Sequence, residues 1–120
     1  MKREAETVRV LLVDDNATSL RLMQRILAQE GVDAEILTDA EEAIRRTNVG
    51  GFAAVFVDLR MAPLSGLDVL RRTRDSSAPR YVLTGYADTD EEAEALALGA
   101  AAVLHKPLDT DEILRILRGG

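Results

Sequence analysis

Short apolar runs alternate with amphipathic segments along the whole chain, and this alternation constrains the fold more than any other feature. The runs occupy residues 8–13, 34–37, 53–57, 81–83 and 101–104. Solid aliphatic runs of this length are typical of strands covered on both faces, as in a parallel sheet. Residues 34–37 alternate more between apolar and polar, which suits an edge strand with one wetter face.

Each run is followed by a segment with helical periodicity, and the starts of these segments carry capping signals. In the first segment Leu20, Met23 and Leu27 share one face. The spacing of a capping box predicts helix starts at Asp39, Ser65, Thr89 and Asp109. The first helix has several candidate caps, namely Asp14, Asp15, Thr18 and Ser19. Helix ends are indicated by Gly31, Gly50, Gly99 and Gly119.

Five β/α units with short connections predict a parallel sheet with right-handed crossovers. The chain has 120 residues, whereas a closed barrel of eight such units needs about 250. We therefore expect an α/β fold with an open, doubly wound (βα)5 three-layer sandwich. Residues 1–120 are expected to form one domain, with a core from about residue 8 to about residue 118.

The composition excludes several classes of protein. There are no cysteines, which excludes a disulfide scaffold, a thiolate zinc site and a thiol nucleophile. The net charge is −6 and the basic residues are scattered, so the counterion release that drives nucleic-acid binding is missing. No apolar run reaches the length of a membrane span, and residues 1–6 lack the apolar core of a signal peptide. We expect a cytoplasmic protein with no nucleic-acid or membrane partner.

Polar residues collect where the predicted strands end. Asp14 and Asp15 follow the first strand, Asp58 the third, Thr84 the fourth and Lys106 the fifth. Taken singly, each has a structural explanation as a helix cap, an Asx turn or a surface residue. Jointly they favour a functional site, because ligands of open α/β sheets bind beyond the carboxyl ends of the strands.

Three carboxylates at one edge of a sheet repel one another unless cations compensate them. Lys106 supplies one positive charge, and an all-oxygen acidic set favours Mg²⁺ or Mn²⁺ as the other cation. A carboxylate beside a metal, an ammonium and a hydroxyl is suited to attack phosphorus, since the cations neutralise the equatorial oxygens.

These residues, in this order and on these elements, resemble the response-regulator receiver domains of two-component signalling, which are CheY-like. The similarity runs from about residue 8 to about residue 117. It is carried by Asp14-Asp15, Asp58 followed by Met61 and Gly66, Leu83-Thr84-Gly85, and Lys106-Pro107. The resemblance implies a flavodoxin-like sheet of strand order 2-1-3-4-5.

The resemblance also implies a role for each site residue. Asp58 would be the phosphoacceptor and form an acyl phosphate. Asp15, Asp58 and the backbone carbonyl of Arg60 would bind Mg²⁺, while Asp14 would position it through water. Lys106 is expected to contact a phosphoryl oxygen and to precede a cis peptide bond to proline. Thr84 would hydrogen-bond the phosphoryl group and draw the following loop inward.

The expected partners and outputs follow from the same resemblance. A sensor histidine kinase or a histidine phosphotransfer protein would donate the phosphoryl group. An output domain or a downstream protein would read a conformational change around strand four, helix four and strand five. Self-dephosphorylation is the only turnover expected, so the protein would be a signalling phosphoacceptor and not an enzyme. No output domain is expected in these 120 residues. The chain would be either a stand-alone regulator that acts by protein contact or the receiver of a longer protein.

The sequence differs from the family pattern in three respects, the third of which concerns Arg60 and Tyr86 at the positions that flank the phosphoryl site. Met61-Ala62-Pro63 stands where Met-Pro is common, which shifts the proline by one position. Val103 occupies the position, three before the lysine, where an aromatic ring usually turns inward. Our hypothesis is that Tyr86 takes over part of that switch. We also expect the large side chains of Arg60 and Tyr86 to shield the acyl phosphate from water.

Three other functions compete with this interpretation. An aspartyl phosphatase would place Asp-x-Asp after the first strand, whereas this chain has Asp14-Asp15-Asn16. A degenerate receiver that serves only as a binding platform is disfavoured by the intact set of polar residues, although Val103 keeps it open. Flavin binding is excluded by 3% aromatic residues and by the lack of a phosphate loop. His105 has no histidine or cysteine partner, so we assign it neither a metal nor a relay role.

Overall fold

The structure is a computed structural model that describes residues 7–85 and 88–119, and over these residues it contains five β/α units. The strands are β1 (Val8–Val13), β2 (Val32–Leu37), β3 (Ala54–Asp58), β4 (Arg80–Thr84) and β5 (Ala102–His105). The helices are α1 (Ala17–Gln29), α2 (Ala40–Val49), α3 (Gly66–Arg72), α4 (Thr89–Ala97) and α5 (Thr110–Leu117). The strands pair in parallel in the order β2-β1-β3-β4-β5, which confirms the predicted fold and its topology.

The register of the sheet aligns the carboxyl ends of its central strands. Val13 of β1 pairs with Val57 of β3, and Asp58 pairs with Leu83 of β4. Residues that follow β1, β3 and β4 therefore emerge at one edge of the sheet. The switch in strand order lies between β1 and β3, where a crevice is expected in folds of this type.

Side chains that alternate along the strands pack into two separate cores. One core lies under α2, α3 and α4 and contains Val57 of β3 and Val82 of β4. The other lies under α1 and α5 and contains Phe56, whose ring stacks on Tyr81 with centroids 5.0 Å apart. β1 and β3 contribute to both cores, which explains why their sequences are aliphatic at nearly every position.

Most helix starts follow the predicted capping pattern. Asp39, Ser65 and Asp109 are N-caps, and Ser65 forms a complete capping box with Asp68. Two predictions were wrong. The N-cap of α4 is Asp88 instead of Thr89, since the Asp88 carboxylate accepts hydrogen bonds from two amides of the first turn.

The cap of α1 was also absent from the set that the sequence suggested. It is Asn16, whose side chain accepts a hydrogen bond from the Ser19 amide. Asp14 and Asp15 therefore lie before the helix and keep their carboxylates for other partners. The Lys106–Pro107 bond is cis, as predicted, and the Ala62–Pro63 bond is cis as well. None of the helices in residues 7–85 and 88–119 combines the length and the hydropathy that a membrane span requires.

Candidate functional site

Lys106 lies between two carboxylates from neighbouring strands. Its Nζ is 2.9 Å from Oδ2 of Asp58 and 3.2 Å from Oδ2 of Asp14. Asp58 is 3% exposed and Asp14 is 8% exposed. One ammonium therefore bridges two buried carboxylates at the carboxyl edge of the sheet, where charge-assisted hydrogen bonds are strong.

Turns of the backbone hold the remaining oxygens of these carboxylates. Oδ1 of Asp14 accepts a hydrogen bond from the Asn16 amide at 3.0 Å. Oδ1 of Asp58 accepts one from the Arg60 amide at 3.2 Å. Both carboxylates are therefore oriented by their own loops and by Lys106 at the same time, so little rearrangement is needed for them to act together.

Gly66 lets the start of α3 approach the chain next to Asp58. A Cβ atom at this position would lie 2.7 Å from the Asp58 carbonyl oxygen and 2.9 Å from Cα of Leu59. Real Cβ atoms do not come so close to backbone, so only glycine fits here. The Gly66 amide also donates to the Leu59 carbonyl at 3.0 Å. The close approach fixes the backbone on which Asp58 is carried.

The acidic cluster has the composition of a site for a hard divalent cation. Asp14, Asp15 and Asp58 each offer a carboxylate oxygen, and these oxygens lie within 4.8 Å of one another. Asp15 is exposed while the other two are buried. Oxygen ligands with an open side toward solvent fit Mg²⁺, Mn²⁺ or Ca²⁺ better than zinc.

The two buried carboxyls have pKa values that move in opposite directions. Burial raises the pKa of Asp58, and hydrogen bonds from Lys106 and Arg60 oppose this without reversing it. Burial also acts to raise the pKa of Asp14, but hydrogen bonds from Asn16 and Lys106 outweigh it and the pKa is lowered. Burial acts to lower the pKa of Lys106, but the hydrogen bonds that Lys106 donates to Asp58 and Asp14 raise it overall. Lys106 therefore stays protonated beside an ionised Asp14.

The other predicted site residues lie around this centre. Thr84 is fully buried at the end of β4, and its carbonyl accepts a hydrogen bond from the Lys106 amide at 2.8 Å. Val103 is half-buried and packs against the core under α2, α3 and α4. Tyr86 lies outside the described residues, so the hypothesis that it acts as the switch stays a prediction.

Arg60 and His105 both point toward α4. The Arg60 guanidinium is 2.5 Å from a carboxylate oxygen of Glu91. Nε2 of His105 is 3.8 Å from Glu92, and the His105 side chain is 59% exposed. The partner of Arg60 could not be predicted, because it comes from a helix that is distant in sequence.

A groove beside the site was also missed by the sequence analysis. It encloses about 430 Å³ and runs between the start of α1 and the loop after β5. Its lining includes Asn16, Leu22, Met23, Lys106 and Pro107. Leu22 is 58% exposed although it is a leucine. Its exposure indicates the groove, but it cannot be deduced from the sequence pattern alone.

A comparison with protein families gives a consistent result. The model described as response regulator receiver domain matches residues 10–118. The transcriptional regulatory protein TrcR of Mycobacterium tuberculosis is 32% identical to this chain over 120 residues, which are 98% of this chain and 47% of TrcR. The chain thus spans about half the length of that curated relative.

Solved structures share the fold over almost all of the chain. A CheY-like response regulator receiver domain protein from Methanospirillum hungatei JF-1 has a TM-score of 0.87 at 25% identity, covering 95% of this chain and 93% of that one. A response regulator from Burkholderia pseudomallei has a TM-score of 0.83 at 29% identity, covering 92% of this chain and 66% of that one. The Burkholderia structure contains a phosphorylated aspartic acid, a calcium ion and citrate.

Proposed function

The chain belongs to the response regulator receiver domain family, and from that premise we propose that Asp58 accepts a phosphoryl group. The observation that carries the proposal is the bridge that Lys106 makes between buried Asp58 and Asp14. A buried carboxylate that already contacts an ammonium has a cation in place for the charge of an incoming phosphoryl group. Receiver domains are signalling phosphoacceptors and not phosphatases, so we propose no turnover of free phosphoesters.

In the proposed transfer, an oxygen of Asp58 attacks the phosphorus atom of a phosphohistidine. The bond between phosphorus and the imidazole nitrogen breaks, and the leaving imidazole takes up a proton from solvent. Lys106 contacts a phosphoryl oxygen and so stabilises the negative charge on the transferred phosphoryl group. Thr84 donates its hydroxyl to another phosphoryl oxygen and draws the loop after β4 inward.

The acidic cluster would hold the divalent cation. Asp15, Asp58 and the backbone carbonyl of Arg60 would bind Mg²⁺, or Mn²⁺ in its place, while Asp14 acts through water. When bound, the cation supplies positive charge to the equatorial phosphoryl oxygens. The carboxylate oxygens of this chain fit that use, since three of them gather within 4.8 Å.

The donor is proposed to be a sensor histidine kinase or a histidine phosphotransfer protein. The groove beside the site supports this, because an apolar wall that includes Leu22 and Met23 leads directly to Lys106. A partner docked there would place its histidine near Asp58. Residues 1–120 are proposed to be one receiver domain, and a cytoplasmic output domain or downstream protein would read its state.

The lifetime of the acyl phosphate is proposed to depend on Arg60 and Tyr86. Arg60 lies two residues after Asp58 and is large enough to restrict the approach of water. Tyr86 is proposed to replace the aromatic switch that Val103 lacks. Self-dephosphorylation should be faster in an Arg60→Ala, Tyr86→Ala double mutant than in the parent, as measured by the decay of the phosphorylated mass.

Incubation with acetyl phosphate tests the proposed function. With Mg²⁺ present, the intact mass should increase by one phosphoryl group, and chelation of the metal should prevent the increase. The Asp58→Asn variant keeps the shape of the side chain and should show no increase. A mass increase of the same size in that variant, or none in the parent, would contradict the proposal.

A further inference from the structure

Helix α4 buries few apolar side chains against the rest of the molecule. Of its residues Thr89–Ala97 only Ala95 is buried, and Leu96 is 52% exposed. By contrast, four residues of the shorter α3 are buried. Three glutamates of α4 instead reach basic groups on three other elements, in the pairs Glu91–Arg60, Glu94–Arg71 and Glu92–His105.

One of these pairs connects α4 with the phosphoacceptor. The Arg60 amide donates to Oδ1 of Asp58 at 3.2 Å, while the Arg60 guanidinium lies 2.5 Å from Glu91. Glu91 is in the first turn of α4 and its side chain is 26% exposed. A single residue thus contacts Asp58 through its backbone and α4 through its side chain.

We propose that Glu91 and the phosphoryl group on Asp58 compete for the Arg60 guanidinium, so that phosphorylation releases the start of α4. This inference rests on the proposed function. A phosphoryl group carries close to two negative charges and three acceptor oxygens, and arginine binds such a group in a bidentate manner. Glu91 offers one charge at a partly exposed site, so it is the weaker competitor.

Release of the Arg60 guanidinium from Glu91 destabilises the first turn of α4, because that turn is strongly acidic. Asp90, Glu91 and Glu92 follow one another there, and Asp88 is the N-cap. The positive end of the helix dipole compensates part of this charge. Without Arg60 the mutual repulsion of the carboxylates rises, and little apolar burial opposes a displacement of the helix.

The competition works in both directions. If the phosphoryl group weakens the hold of Arg60 on α4, then Glu91 must weaken binding of the phosphoryl group by the same factor. A partly exposed ion pair limits that factor to about two- to fivefold. A pair of this strength can hold α4 in the resting state and still yield to phosphorylation.

A double-mutant cycle tests the competition. Affinity for beryllofluoride, a stable mimic of the phosphoryl group, is measured by titration calorimetry with Mg²⁺ in the parent, E91Q, R60Q and the double variant. E91Q should bind about two- to fivefold more tightly than the parent. In the R60Q background the Glu91→Gln change should have no effect, since the cation for which it competes is gone.

Glu94→Gln is the matched control, because Glu94 lies on α4 one turn after Glu91 and pairs with Arg71 of α3 instead of Arg60. It should leave the affinity unchanged. Hydrogen exchange gives a second measurement, in which amides 91–95 should exchange faster on beryllofluoride binding in the parent but not in R60Q. Equal effects of Glu91→Gln in both backgrounds, or none in either, would overturn the competition alone. Failure of the parent to bind beryllofluoride would overturn the proposed function, and the competition with it.

Discussion

Two cations lie at opposite ends of the same sheet, and the protein compensates them in different ways. Lys106, beyond β5, contacts the carboxylates of Asp14 and Asp58. Arg80, the first residue of β4, is only 7% exposed and donates to neutral acceptors. Within residues 7–85 and 88–119, no carboxylate pairs with Arg80.

The acceptors around Arg80 belong to the ends of two helices. Its guanidinium donates to the carbonyl of Leu70 and the hydroxyl of Thr73 at 3.1 Å each, and to the carbonyl of Gly99 at 3.3 Å. Carbonyls at helix C-termini have no partner within the helix and carry partial negative charge. The Nε atom has no partner among the described residues. Burial, with a contribution from nearby Arg74, lowers the pKa of Arg80.

The two environments differ in how they can respond to an added charge. The partners of Arg80 are mostly backbone groups, so they cannot leave it without unfolding the ends of α3 and α4. The partners of Lys106 are side chains that can be modified or can bind a metal. The buried arginine therefore has structural partners, and the lysine has the partners that the proposed function requires.

Replacement of Lys106 should have the largest effect on function. Lys106→Met removes the ammonium that faces the phosphoryl oxygens, so phosphorylation of Asp58 by acetyl phosphate should slow by about 10²-fold or more. The lysine is at the edge of the sheet, so chemical unfolding should still show a cooperative transition. A rate within a few fold of the parent would contradict the proposed role of Lys106 in phosphorylation.

Replacement of Arg80 should affect stability and leave the chemistry intact. Arg80→Met leaves the Leu70 and Gly99 carbonyls without their donor, and the free energy of unfolding should fall by about 2–3 kcal/mol in urea titrations. Arg74→Ala is the matched control, since this exposed arginine should matter by less than about 0.5 kcal/mol. The folded Arg80→Met protein should be phosphorylated at the parent rate. A large loss of rate would show that the two ends of the sheet are not independent.

The charge of Asp58 itself should cost stability when no metal is bound. Because burial raises the pKa of Asp58 in the folded chain, ionisation above that pKa favours the unfolded state. Asp58→Asn should therefore raise the free energy of unfolding at neutral pH in EDTA. The gain should shrink as pH falls through the folded pKa of Asp58, since the parent then becomes neutral at this position. A gain that grows toward acid pH would contradict the assigned direction.

The sequence predicted the elements and the site because both depend on local patterns. Alternating apolar runs located all five strands to within a few residues. Asp14, Asp58 and Lys106 could be grouped in advance, since parallel strands present their carboxyl ends at one edge of a sheet. The cap of α4 was misplaced because Asp88 and Thr89 both offer an acceptor, and only the backbone decides between them.

Features that depend on distant helix ends could not be predicted. Nothing near Arg80 in the sequence shows that the carbonyls of Leu70 and Gly99 converge on it, so an arginine at the start of a strand looks exposed. The pairing of Arg60 with Glu91 depends in the same way on how α4 docks. Long-range contacts between charged side chains carry no periodic signal.

Chemical identification of the phosphorylated residue tests whether Asp58 is the phosphoacceptor. After reaction with acetyl phosphate and Mg²⁺, borohydride reduces an acyl phosphate of aspartate to homoserine, and peptide mass mapping locates the product. We expect reduction at Asp58 alone, because Asp58 is the carboxylate that Lys106 holds beside ionised Asp14. Reduction at Asp14 or Asp15, or no reduced residue in a protein that gained the phosphoryl mass, would contradict it.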